Sequence, residues 1–134
     1  MTSQHVSKNS KNQLPQTLGG IVQHGSKRGR LLGYPTANIV IQSTLSDGVY
    51  AATVVLQNEE IYKALTFFGK NETFNETERK LEVHLLDFSG DLYDQNLSVT
   101  MLHFIRPSVK FSSVEDLIAQ MHEDEKAGRE VLAE

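Results

Sequence analysis

The sequence predicts a small, mainly β barrel flanked by one C-terminal helix. Three observations carry that expectation. Short runs rich in β-branched and aromatic residues recur between turn signals such as Asp47-Gly48 and Ser89-Gly90-Asp91. Residues 80–87 alternate, with Leu81, Val83 and Leu85 on one side and Lys80, Glu82, His84 and Leu86 on the other. Near the end the period changes: a capping-box pattern, Ser112-Ser113-Val114-Glu115, precedes Val114, Leu117, Ile118 and Met121 at helical spacing.

Taken in order, residues 1–16 are rich in Ser, Asn, Gln and Lys and read as a tail or linker, leaving 17–134 as the barrel domain. A first strand is expected over 18–24. Strands over 49–56 and 61–68 flank the polar turn Gln57-Asn58-Glu59-Glu60 and form a hairpin. Residues 69–79 form a long polar loop ahead of the alternating strand. The next strand covers 97–105, with Leu97, Val99, Met101 and Ile105 on one side, and Arg106-Pro107 ends it. The helix runs from Ser113 to about Lys126, and an extension to Leu132 is weakened at Gly128. Five or six short, mostly antiparallel strands and one helix make a closed sheet with the helix over an open end or flank.

Length and composition set the bounds. The 134 residues suit one domain with a real core. Hydrophobic content of 39% and charged content of 22% are those of a globular protein. The chain has no cysteine, which excludes disulfides and thiolate metal sites. No apolar run reaches the length of a membrane span, and the polar first residues lack a signal-peptide core. A cytoplasmic protein without a membrane partner is therefore expected. The net charge of −4 is uneven: no Asp or Glu precedes Asp47, whereas Lys8, Lys11, Lys27, Arg28 and Arg30 do. A local basic segment beside an acidic body suits a bound anion better than a nucleic acid, which wants a broad basic face.

Chemistry concentrates in two places. The run from His24 through Gly25, Lys27, Arg28, Gly29 and Arg30 leads into Gly33-Tyr34-Pro35-Thr36-Ala37-Asn38. Glycines allow close backbone approach to a phosphate, Pro35 stiffens the turn, and Thr36 and Asn38 offer neutral oxygens to a hard cation. By spacing alone the run is more often an ordinary turn. It is not a Walker loop, since no Gly-Lys-Ser/Thr closes it. The second place is Glu82, a strand-borne carboxylate on the face opposite the core stripe. It can act as a general base, or it can be a solvent-facing residue on a half-buried sheet. His84 shares its face. His5, His103 and His122 are too scattered for a zinc cluster.

Several blocks together resemble the riboflavin kinase family. They are Gly20-Ile21-Val22-x-His24-Gly25, Gly29-Arg30-x-Leu32-Gly33-Tyr34-Pro35-Thr36-Ala37-Asn38, Asp47-Gly48-Val49-Tyr50, Leu81-Glu82-Val83-His84-Leu85-Leu86-Asp87-Phe88 and Ile105-Arg106-Pro107-x-x-x-Phe111. The resemblance is nearest to the C-terminal kinase module of bacterial bifunctional riboflavin kinase/FAD synthetase. It implies a six-stranded antiparallel Greek-key β-barrel with a C-terminal helix. It implies ATP-dependent phosphorylation of the ribityl 5′-hydroxyl of riboflavin, giving FMN and ADP with Mg2+. By the same resemblance Thr36 and Asn38 would ligate the magnesium and Glu82 would be the base. Gly25, Gly29, Arg30 and Gly33 would cover the nucleotide, and Arg106 and Phe111 would form part of the flavin side. An adenylyltransferase (FAD synthetase) domain would precede the module in a longer protein. One departure stands out: the bacterial family often carries Asn-Ile-Gly-x-x-Pro-Thr-Phe before the catalytic strand, and here residues 67–74 read Phe67-Phe68-Gly69-Lys70-Asn71-Glu72-Thr73-Phe74. That change motivates a rival expectation, a flavin- or nucleotide-binding regulatory module with little catalysis. An RNA-binding barrel is disfavoured by the acidic balance and the few strand-borne aromatics.

Overall fold

The computed structural model describes residues 14–23, 36–70 and 78–133. Six strands and one helix follow in order: β1 Gln16–Ile21, β2 Ala37–Ile39, β3 Gly48–Val55, β4 Ile61–Gly69, β5 Lys80–Leu85, β6 Asn96–Pro107 and α1 Val114–Leu132. The strands form one antiparallel sheet in the order β1-β6-β3-β4-β5-β2. Three consecutive strands, β3 to β5, run as a meander and β6 returns beside β3, which is the Greek-key arrangement. The sheet curls into a partly open barrel, and its two edges meet at one bridge, where the Gln23 N–H donates to the Asn38 carbonyl at 2.8 Å.

The alternation read from the sequence decides which side faces inward. Leu81, Val83 and Leu85 point into the barrel with Tyr50, Ala52, Val54, Phe68, Leu97, Val99 and Met101, all buried. At the closing seam β1 and β2 approach closely. A Cβ on Gly20 would lie 2.5 Å from Cγ2 of Ile39, which is fully buried and cannot swing aside. Gly20→Ala should therefore lower stability by about 1–3 kcal/mol, the usual penalty of overpacking. Urea denaturation of the two proteins would test it, and an unchanged midpoint would show that the seam is looser than this contact requires.

Most expected elements are present with small boundary shifts. Gln16, expected to be the last residue of the tail, is the first of β1, and the strand stops at Ile21 rather than His24. The short strand β2 was not foreseen. Ile105 does not share the side of Leu97, Val99 and Met101. Register shifts in the β3–β6 pairing, between Ala51 and Ala52 and again between Val49 and Tyr50, break the two-residue period. Ile105 instead packs with Val49, Leu65 and Leu86 in a second apolar cluster on the outer face.

The helix is capped by Ser113, whose side chain accepts from the Asp116 N–H at 3.1 Å, one position later than the expected box. It runs unbroken through Gly128. There the Leu65 side chain packs where a Cβ would stand, 2.5 Å from its nearest methyl, so the missing side chain lets the helix sit close to β4. The helix thus covers part of the outer face of β3, β4 and β6.

Candidate active site

The outer face carries the sequence-predicted chemistry because inward and outward positions alternate. On β2, Ala37 and Ile39 point into the core and Asn38 points out. On β5, Leu81 and Val83 point in, and Glu82 lies half-buried on the outer side. The pairing of these strands sets Asn38 directly opposite Glu82. Opposed residues in antiparallel strands have Cα atoms about 4.5–5.5 Å apart, so the two side chains are immediate neighbours. Thr36 lies two positions before Asn38, on the side toward His84, since Ala37 pairs with Val83.

The same row continues across the sheet. Glu82 faces Phe67 on β4, Phe67 faces Val49 on β3, and Val49 faces Arg106 on β6. Arg106 therefore shares a face with Glu82 but stands three strands away, on the order of 14 Å at the usual strand spacing. Its guanidinium is committed elsewhere. Nε and Nη2 donate to the two carboxylate oxygens of Asp124 on α1, each at 2.8 Å, and Nη1 donates to the Pro107 carbonyl at 3.1 Å. The Phe111 ring lies 5.6 Å from the guanidinium. Arg106 and Phe111 are thus together, at the foot of the helix, and apart from the Asn38–Glu82 pair.

Two further ties hold the frame around the site. Arg129 on α1 donates from Nη1 and Nη2 to Asp87, both at 3.1 Å, just beyond the strand that bears Glu82. Hydrogen bonding and charge from this guanidinium hold the Asp87 carboxyl below the usual range, although the pair is exposed and contributes little to stability. Arg79 bonds the Asp47 carboxylate and stacks 4.4 Å over Phe68, fastening the segment that enters β5. Beside it Tyr50 donates to the Ser46 carbonyl at 2.6 Å, and burial, with the nearby Asp47 charge, pushes its hydroxyl up to about 12.

A magnesium ion fits the residues present. Asn38 is only 8% exposed, and its side-chain amide makes no hydrogen bond among the described residues. Leaving such a group unsatisfied costs about 1–3 kcal/mol, which a ligated cation would offset. A carbonyl oxygen on Asn38 and a hydroxyl on Thr36 are hard neutral oxygen donors of the kind Mg2+ takes with phosphate and water completing the shell, and the Glu82 carboxylate stands opposite Asn38. No cluster of three or more His, Asp or Glu is gathered into a metal site among the described residues. Gly25, Gly29, Arg30 and Gly33 lie outside the described residues.

Comparison with known proteins fixes the family. The riboflavin kinase family pattern matches residues 12–132. The chain belongs to the riboflavin kinase family. A bifunctional riboflavin kinase/FMN adenylyltransferase of Haemophilus influenzae is 42% identical over 112 residues, which are 82% of this chain and 36% of that one. A Streptococcus pneumoniae structure, named as a macrolide-efflux protein, superposes with a TM-score of 0.79 at 35% identity, covering 95% of this chain and 46% of the other. The riboflavin kinase of Trypanosoma brucei shares the fold, with a TM-score of 0.59 at 24% identity over 87% of this chain and 76% of that one. The riboflavin kinase-family chain spans 18 to 39% of the length of the first curated relatives it matches. No described helix is long and apolar enough to cross a membrane.

Within this family domain, sequence reasoning missed the Asp124 partner of Arg106 and the position of Phe67 beside Glu82. The first had a faint signal, an acidic residue three after Met121 on the face that Leu117 and Met121 turn toward the sheet. The second follows from the hairpin register once β4 and β5 are paired.

Proposed function

We propose that this domain transfers the γ-phosphoryl group of ATP to the ribityl 5′-hydroxyl of riboflavin, forming FMN and ADP. The observation that carries the reading is the pairing of Asn38 with Glu82 on one face of the sheet. It supports a carboxylate set beside a neutral oxygen ligand, with an alcohol and a terminal phosphate between them.

Asn38 and Thr36 would hold a magnesium ion, which when bound neutralises phosphate charge and orients the γ-phosphoryl group. Glu82 accepts the proton of the 5′-hydroxyl as that oxygen forms its bond to phosphorus. The bond from phosphorus to the β–γ bridging oxygen breaks, and ADP leaves with the electron pair. The proton on Glu82 then passes to solvent. Because β5 is paired on both sides, the backbone that bears Glu82 is fixed before substrate arrives, and alignment supplies the larger share of catalysis in phosphoryl transfer. Arg106 acts as a positioning residue, locking α1 against β6 through Asp124. In a longer protein, an adenylyltransferase domain of the kind named in the relatives would take the FMN formed here.

The direct test is FMN formation from riboflavin and ATP, with magnesium and in a metal-free control. Product that depends on all three supports the reading. Tight FMN binding without ATP consumption would instead select a regulatory flavin-binding module. Asn38→Ala is expected to raise the magnesium concentration needed for half-maximal rate by about tenfold, the effect of one lost charge-assisted ligand, and to weaken ATP. Magnesium titrations of both proteins would check this, and superimposable curves would remove Asn38 from the metal.

A further inference from the structure

Glu82 has two cross-strand neighbours: Asn38 on one side and Phe67 on the other. Thr66 and Phe68, which flank Phe67, are buried, and Phe68 belongs to the inner core, so the Phe67 ring projects onto the outer face. It is half-buried. It packs against the outer cluster of Val49, Leu65 and Leu86 without being fully covered, and it stands directly across from Glu82 in the β4–β5 register. The base therefore stands between an amide and a hydrocarbon wall.

That wall bears on a problem every kinase of small alcohols faces. Water and a primary alcohol are deprotonated by the same carboxylate and attack the same phosphorus. What separates them is the space beside the base. A phenyl ring offers water at most a weak contact to its π face, so water next to it is poorly held and is readily displaced by the carbon chain that bears the alcohol.

We infer that Phe67 selects the phosphoryl acceptor, keeping water from the Glu82 carboxylate so that the γ-phosphoryl group passes to an alcohol whose carbon chain packs its C–H groups on the ring. This rests on the kinase reading above. In the leak that Phe67 prevents, the oxygen of water bonds to the γ-phosphorus, its proton goes to Glu82, and the bond to the bridging oxygen breaks to release ADP and phosphate.

Leu and Asn have nearly the same shape and differ in polarity, so the pair separates wall chemistry from packing. With the full chain, Mg2+ and ATP, the readouts are ADP release without riboflavin and the ADP:FMN ratio with saturating riboflavin. Phe67→Leu is expected to keep the ratio near one. Phe67→Asn is expected to raise riboflavin-independent hydrolysis by about two- to tenfold, the effect of one added hydrogen bond to water, and to raise the ratio. Hydrolysis that vanishes in the Phe67→Asn/Glu82→Gln double variant ties the leak to the base. Persistent hydrolysis there overturns the wall's link to Glu82. Equal uncoupling by Leu and Asn overturns the inference in favour of packing, and no uncoupling by Asn overturns it outright while FMN formation by the parent keeps the kinase reading. A parent protein that consumes ATP without making FMN overturns both.

Discussion

In the Glu82→Gln protein, FMN formation is expected to fall by about 100- to 10,000-fold, the usual contribution of a general base. Glutamine keeps the length of glutamate and one carbonyl oxygen. It can still accept a hydrogen bond from the ribityl hydroxyl but cannot take its proton. The substitution leaves the inward neighbours Leu81 and Val83 untouched, and those residues hold β5 in the core. Riboflavin affinity, followed by flavin fluorescence, should therefore change little. The residual rate should stay well above the uncatalysed one, because positioning and phosphate neutralisation do not depend on the base. A variant that turns over at nearly the parental rate would strip Glu82 of its role. A variant that loses both affinity and turnover would recast it as a binding residue.

The part of this site that could be read in advance was the part with a local period. Lys80 to Leu85 alternates so cleanly that the outward position of Glu82 follows from hydrophobicity alone. The β3–β4 hairpin and the capped helix are legible for the same reason: each is specified by neighbours in sequence. Strand β2 is not. It is three residues long, too short to show a period, and it is defined by pairing with a strand far along the chain. The Thr-x-Asn run can accordingly be recognised as a ligand pattern but not as a strand, and its place opposite Glu82 appears only in the β2–β5 register. The bulges in β6 were hidden too. They carry Ile105 out of the core, while Arg106 stays on the outer side where simple alternation already places it, and nothing in the residues announces them. Gly128 is a weak point by helix propensity, yet the helix reaches Leu132 through it. The nearby Leu65 methyls show why glycine is tolerated there: close packing outweighs a propensity loss of about 1 kcal/mol.

Arg106→Ala is expected to destabilise the domain by about 3–5 kcal/mol, because it leaves a buried carboxylate without its counter-charge. The side chains of Arg106 and Asp124 are only 18% and 8% exposed, and both charge-assisted bonds between them are 2.8 Å long. Of the Asp124 side-chain partners among the described residues, the Gln120 amide, at 3.0 Å, would remain. For a domain of this size the loss amounts to a fall in melting temperature on the order of 10 °C or more. Calorimetry or thermal circular dichroism would measure it. The paired change Arg106→Met with Asp124→Leu distinguishes the cause. Removing both charges and keeping the volume should recover most of the stability, since apolar replacement of a buried ion pair is often neutral or better. If the double change is as unstable as the single one, the guanidinium is needed for packing against Phe111 and the helix rather than for its charge. Activity then separates fold from function. A stable double variant with a lowered FMN rate would mean that the Arg106–Asp124 tie sets where α1 lies over the outer face, and through it the space beside Phe67 and Glu82.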